Sequence, residues 1–213
     1  MKDMKAKSKI SYVRIIPLGD ACSGKTCLME RYFNNTFSSI HLSTMGIDSR
    51  MKFIKIENGE KIKVILTDIS DRESNRSLSS NFISKSDGII LLYDITEESS
   101  FNGAKNWLKS IREEYGDTKP IILVGNKIDL EEKRKVNKKE GELFAKENNL
   151  KFYECSCKTG ENVEKIVDDL IGTIYPKYRE EILKKEKKKN KKDKKKRSHA
   201  KKNLIILSRY ISF

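Results

Sequence analysis

No run of about eighteen apolar residues, the length a helix needs to cross a bilayer, occurs in this chain, so no segment reads as a membrane span. Secretion is equally unsupported. No signal sequence opens the chain, and Cys22, Cys27, Cys155 and Cys157 follow no disulfide framework, which points to a reducing, cytoplasmic setting. They do not suit structural zinc either. Cys155 and Cys157 are separated by one residue, and His41 and His199 lie far from them, whereas such zinc takes four ligands at recognisable spacings. Apolar residues are also scarce, 37% against 36% charged. That balance implies a segment outside the folded part.

What the chain has in excess is lysine, unevenly placed. Of the formal net charge of +14, residues 184–202 supply +11 and residues 1–9 supply +3. The body between them is close to neutral, so attraction to anionic surfaces belongs to the ends. From Lys184 onward no core-forming pattern survives, which reads as a disordered or loosely helical tail. The expected organisation is a basic arm over 1–9, a folded domain over 10–178 and a lysine-rich tail over 179–213, with no internal repeat.

Six apolar runs read as strands: Ile10–Leu18, Met51–Ile56, Ile62–Leu66, Gly88–Tyr93, Ile121–Val124 and Phe152–Cys155. Phe101, Ala104, Leu108 and Ile111 share one helical stripe, as do Val163, Ile166, Val167, Leu170, Ile171 and Ile174. Asn58-Gly59 reads as a hairpin turn, making the second and third strands antiparallel neighbours. Strands alternating with helices imply an α/β fold, a mostly parallel sheet covered on both faces. Its ligands bind beyond the carboxyl ends of the strands.

Gly19, Asp20, Ala21, Cys22, Ser23, Gly24, Lys25 and Thr26 match G-x-x-x-x-G-K-[ST] in full, after the first strand and before a helical stretch. Such a loop turns backbone N–H groups onto a polyphosphate, and the helix N-terminus adds positive potential. Lys25 is expected to reach the β- and γ-phosphates and the Thr26 hydroxyl to ligate Mg²⁺. Cys27, the next residue, is counted with the nucleotide-binding set. Asn126-Lys127-Ile128-Asp129 follows the fifth strand. A carboxylate at Asp129 accepts from guanine's ring N–H and exocyclic amine, donors adenine lacks there, so the site selects against ATP. Ser156, Cys157 and Lys158 follow the last strand, where a backbone N–H can meet the guanine carbonyl oxygen.

With these motifs, Ser43-Thr44-Met45-Gly46-Ile47-Asp48 and Glu154-Cys155-Ser156-Cys157-Lys158, the chain resembles the Ras superfamily of small GTPases, most closely its Rab branch, over roughly residues 10–175. Leu92-Tyr93-Asp94-Ile95-Thr96 and Asn106-Trp107-Leu108 support the resemblance. It implies a three-layer P-loop NTPase G domain, a six-stranded sheet with one antiparallel strand. It also implies a monomeric switch holding GTP or GDP with Mg²⁺, served by an exchange factor, an activating protein and effectors in vesicle traffic. By the same resemblance Thr44 touches Mg²⁺ and the γ-phosphate, Phe37 packs on the guanine ring, and Asp68 holds Mg²⁺ through a water.

The chain departs from that family at Thr67-Asp68-Ile69-Ser70-Asp71-Arg72-Glu73, where W-D-T-A-G-Q-E is usual. Asp71 puts a carboxylate where glycine approaches the γ-phosphate. Arg72, a donor only, replaces the glutamine that orients the attacking water. Slow hydrolysis is expected, and a non-hydrolysing scaffold is the alternative. Arg72 acting as an arginine finger in cis is a further reading. Cys22 stands where the family often has glycine, and Ser49, Thr67 and Ile83 stand where Rab proteins commonly place aromatic effector contacts. No cysteine follows Cys157, so the sequence as it stands carries no prenylation acceptor. The tail reads either as a weak contact with anionic membrane through residues 184–213 or as a solvated basic segment; nucleic-acid binding through Lys194–Arg197 is disfavoured.

Overall fold

A computed structural model of the chain describes residues 11–39, 46–55, 61–69 and 76–176. Chain contacts divide it into two units, Tyr175–Phe213 and Met1–Ile174, and the latter holds the sheet. Its elements follow in the order β1 (Ser11–Leu18), α1 (Lys25–Asn34), β2 (Ile47–Lys55), β3 (Lys61–Ile69), α2 (Arg76–Lys85), β4 (Gly88–Asp94), α3 (Glu98–Tyr115), β5 (Ile121–Asn126), α4 (Lys138–Glu147) and β6 (Lys151–Cys155). A last helix, α5, begins at Val163 and continues through Ile174.

All six expected strands form, most of them longer than their apolar runs. The largest extension is at β2, which starts four residues before the expected run, at Ile47. There Ile47 to Ser49 pair with Ile69 to Thr67, so β3 recruits them although their own pattern is not apolar. The Asn58-Gly59 turn lies outside the described residues, but the register Lys55↔Lys61 to Ile47↔Ile69 makes β2 and β3 antiparallel, as expected.

The sheet order is β2-β3-β1-β4-β5-β6, with every other neighbouring pair parallel. β4 and β5 are buried on both faces, which explains their unbroken apolar runs. One face packs on α2, α3 and α4 through Ile16, Leu91, Phe101, Leu108, Ile83 and Ala145. The alternate residues, among them Ile90 and Leu92, point the other way; Leu28 and Met29 of α1 and Val163, Ile166, Val167, Leu170, Ile171 and Ile174 of α5 are also buried. Ile83 is therefore core, not surface, and Ser49 bonds Thr67 across the ribbon, Oγ to Oγ1, at 3.0 Å. α2 and α4 carry no sequence signal strong enough to foresee. α4 buries only Gly141 and Ala145, and its Leu143 faces out.

Candidate functional site

The strand order reverses direction around β1, which lies between β3 and β4. A crevice opens at such a switch point. The parallel strands all end there, delivering Gly19 after β1, Asp68 in the last turn of β3, Asp94 of β4, Asn126 of β5 and Ser156 after β6. Residues scattered between positions 19 and 156 thus meet at one rim.

The phosphate loop has the backbone its residue types predict. Gly19 and Gly24 take φ of 145° and 102°, values that only glycine tolerates readily. Side chains there would also drive into Leu92 O and the Asn126 amide, respectively. Cys22 adopts φ 61°, so the cysteine is accommodated in a left-handed conformation, at a modest steric cost. Ser23 N–H closes the loop on Asp20 O at 3.2 Å. The ammonium of Lys25 is drawn across the loop mouth, donating to Gly19 O at 3.0 Å and Asp20 O at 2.9 Å. α1 starts at Lys25, so its N-terminus faces the same space.

Beside it lies a cavity of about 260 Å³, walled by Gly24, Cys27, Phe37, Asn126, Lys127, Asp129, Leu130, Cys157 and Lys158. Asn126 joins the cavity to the loop. Its Nδ2 donates to Ser23 O at 2.9 Å, and its Oδ1 accepts from Cys157 N–H at 3.2 Å and Cys155 Sγ at 3.5 Å. Asp129 Oδ1 accepts from Ser156 Oγ at 2.6 Å, and Lys158 Nζ stands 3.8 Å from Oδ2. The carboxylate is thereby held in one orientation at the cavity wall. Lys127, at φ 73°, pairs with Asp94 Oδ2 at 2.6 Å, while Asp94 Oδ1 accepts from Thr96 N–H and Oγ1. The roles of Asp94 and Thr96 were not evident from sequence, although the stretch containing them was.

The Mg²⁺ expectation can be tested on the donors themselves. Thr26 Oγ1 donates to Asp68 Oδ2 at 2.5 Å, and Asp68 is wholly buried. A hydroxyl and a carboxylate converging beside the phosphate loop are hard oxygen donors of the kind Mg²⁺ takes, so these residues fit the ion. Thr44, Asp71 and Arg72 lie outside the described residues.

The cysteines lining this region are inert in character. Burial raises the Cys27 thiol above its ordinary pKa, with Cys157 nearby adding to the shift. A hydrogen bond with Cys157, together with burial, raises Cys155 well above its ordinary value. Both stay protonated at neutral pH; Cys27 serves as cavity wall and Cys155 as buried core rather than as nucleophiles.

Comparison with known proteins agrees with this geometry. A model of the Ras family matches residues 14–176. The chain is 35% identical over 184 residues to the Ras-related protein RABE1e of Arabidopsis thaliana, covering 85% of this chain and 84% of that one. It is 37% identical over 172 residues to the Ras-related protein Rab-13 of Bos taurus, covering 81% and 84%. A match to the EF-hand calcium-binding domain-containing protein 4B of Homo sapiens, 38% identical, covers 71% of this chain but 20% of that protein.

Proposed function

The chain belongs to the Ras family as a Rab-like small GTPase, and from that premise we propose that it binds GTP and GDP with Mg²⁺ at this rim, hydrolyses GTP slowly and switches a step of vesicle transport. The observation that carries the proposal is the Asn126 hub. One buried amide ties Ser23 of the phosphate loop to Cys157 of the base cavity, so the two subsites keep a fixed separation.

In the proposed complex the Lys25 ammonium exchanges two neutral carbonyl partners for the β- and γ-phosphate oxygens. That exchange replaces neutral hydrogen bonds with charge-assisted ones. The N–H groups of Gly19 to Thr26 surround the polyphosphate; Cys27 and Phe37 flank the base. Asp129, oriented by Ser156, accepts from the guanine amine and ring N–H, while the Ser156–Lys158 loop supplies a donor to its carbonyl oxygen. Mg²⁺, when bound, neutralises phosphate charge; Thr26, Thr44 and Asp68 are the residues to hold it.

Slow turnover follows from residue chemistry at Asp71 and Arg72. A carboxylate near the γ-phosphate repels it, and a guanidinium cannot accept a hydrogen bond from the attacking water. The partners are an exchange factor, an activating protein and effectors, and residues 184–213 attract the protein to an anionic cytosolic membrane face.

Titration with fluorescent GDP and GTP in Mg²⁺, followed by phosphate release, tests the proposal. Guanine nucleotides should bind and adenine counterparts should not; equal binding of both rejects it. Binding without phosphate release, with or without cellular extract, establishes the scaffold reading instead. Sedimentation with anionic liposomes, with and without residues 184–213, tests the tail; equal pelleting rejects its role.

A further inference from the structure

The guanidinium of Arg31, in the last turn of α1, has no place in the phosphate or guanine motifs, yet it spans two walls of the base cavity. Its Nε donates to Cys157 O at 2.9 Å and its Nη2 to Lys158 O. Its Nη1 donates to Asn35 O at 2.8 Å and to Asn35 Oδ1 at 3.0 Å. Asn35 is the left-handed cap of α1, φ 53°, and its N–H returns to Arg31 O at 3.0 Å. Two residues further on stands Phe37, which lines the same cavity as Cys157 and Lys158.

Arg31 is thus bonded at one end to the loop that follows β6 and at the other to the turn that carries Phe37. Ser156, at the start of that loop, accepts Gly160 N–H on its carbonyl at 2.8 Å and donates its own N–H to Glu161 O at 3.2 Å. Cys157 N–H is held from within by Asn126, whereas the carbonyls of Cys157 and Lys158 point to Arg31. The spacing is set by α1 itself. Lys25 and Arg31 are six residues apart on one helix, about 9 Å along its axis at 1.5 Å per residue. The helix that places the phosphate-binding ammonium therefore also places the base loop. Lysine could not do the same, because a single ammonium lacks the planar set of donors that reaches carbonyls on two segments at once.

We infer that Arg31 is a positioning residue for guanine recognition: it holds the Ser156–Lys158 loop and the Phe37 segment in register across the base cavity without touching nucleotide. This rests on the nucleotide-site reading above, and it assigns to α1 the adjustment of base affinity as well as phosphate affinity.

The test is the dissociation rate of two diphosphates from the full chain, GDP and the diphosphate of 2-aminopurine riboside, which lacks the 6-oxo group that the loop would meet. In Arg31→Met, which keeps the apolar stem, GDP should leave about ten- to a hundredfold faster, the range expected for losing charge-assisted hydrogen bonds. The 2-aminopurine analogue should be accelerated clearly less than GDP, since both ligands share the Phe37 contact but only GDP presents a 6-oxo group to the loop. Arg31→Lys should fall between wild type and Arg31→Met, and it carries the same test if Arg31→Met fails to fold. Unchanged GDP release, or equal acceleration of both ligands, would overturn the inference and leave the nucleotide site standing. A wild-type chain that holds no guanine nucleotide would overturn both.

Discussion

Asn126 exposes 1% of its surface and is bonded on both sides of its amide. Replacing it with alanine strands Ser23 O and Cys157 N–H in the interior, each at about 1–3 kcal/mol. Asn126→Ala should therefore lower unfolding free energy by about 2–4 kcal/mol in a urea titration, and weaken GDP binding as well. A second residue-scale expectation concerns the thiols. Cys22 is exposed, Cys27 half-buried, and Cys155 and Cys157 buried. Iodoacetamide at neutral pH should modify Cys22 first, with the buried pair reacting only after unfolding. Cys27, whose thiol is held protonated by burial, should react faster as pH rises above the ordinary thiol range. Mass spectrometry of the time course reads the order, and early modification of Cys155 would contradict it. The motif residues at this scale were legible because each carries chemistry at a set spacing. Arg31 and Asp94 were not, because an arginine in a helix and an aspartate ending a strand look like surface charge until their partners, as distant as Lys158 and Lys127, are known.

Two helical glycines separate what an element's own sequence says from what its neighbours impose. Gly172 in α5 is exposed, and a side chain there would meet nothing; Gly103 in α3 faces the Asp20 carboxylate of the phosphate loop so closely that a side chain enters only if that carboxylate turns aside. Helix propensity alone favours alanine at both, by about 0.5–1 kcal/mol. Gly172→Ala should gain that amount in thermal or urea unfolding. Gly103→Ala should gain less, since the Asp20 carboxylate must first turn out of the way. Equal gains at both sites would show that α3 and the phosphate loop do not press on each other. The stripes of α3 and α5 were legible because four or more buried apolar residues recur at steps of three and four. α4 was not, since two small residues make its buried face. The early start of β2 is likewise a property of β3, which supplies the pairing partners.

For the whole molecule, a ligand that binds only the folded state must raise its stability. GDP with Mg²⁺ at a hundred times its Kd should add about 2.7 kcal/mol, which for a domain of this size is a Tm rise of about 5–10 °C. ADP should produce no comparable shift in the same thermal scan, and an equal shift would contradict guanine selection. What the chain's order of residues determined is the class of fold and the chemistry it carries. Periodic apolar runs admit few ways of burying their faces, and a phosphate loop followed by Asn126 to Asp129 demands specific donors at specific spacings. What folding alone decided is which polar groups hold those motifs at fixed distances. The Asn126 hub, the Arg31 fork and the Asp20–Gly103 contact each join segments far apart in the chain. Such partners are selected by three-dimensional packing of the sheet and its helices, and no local pattern of residues encodes them.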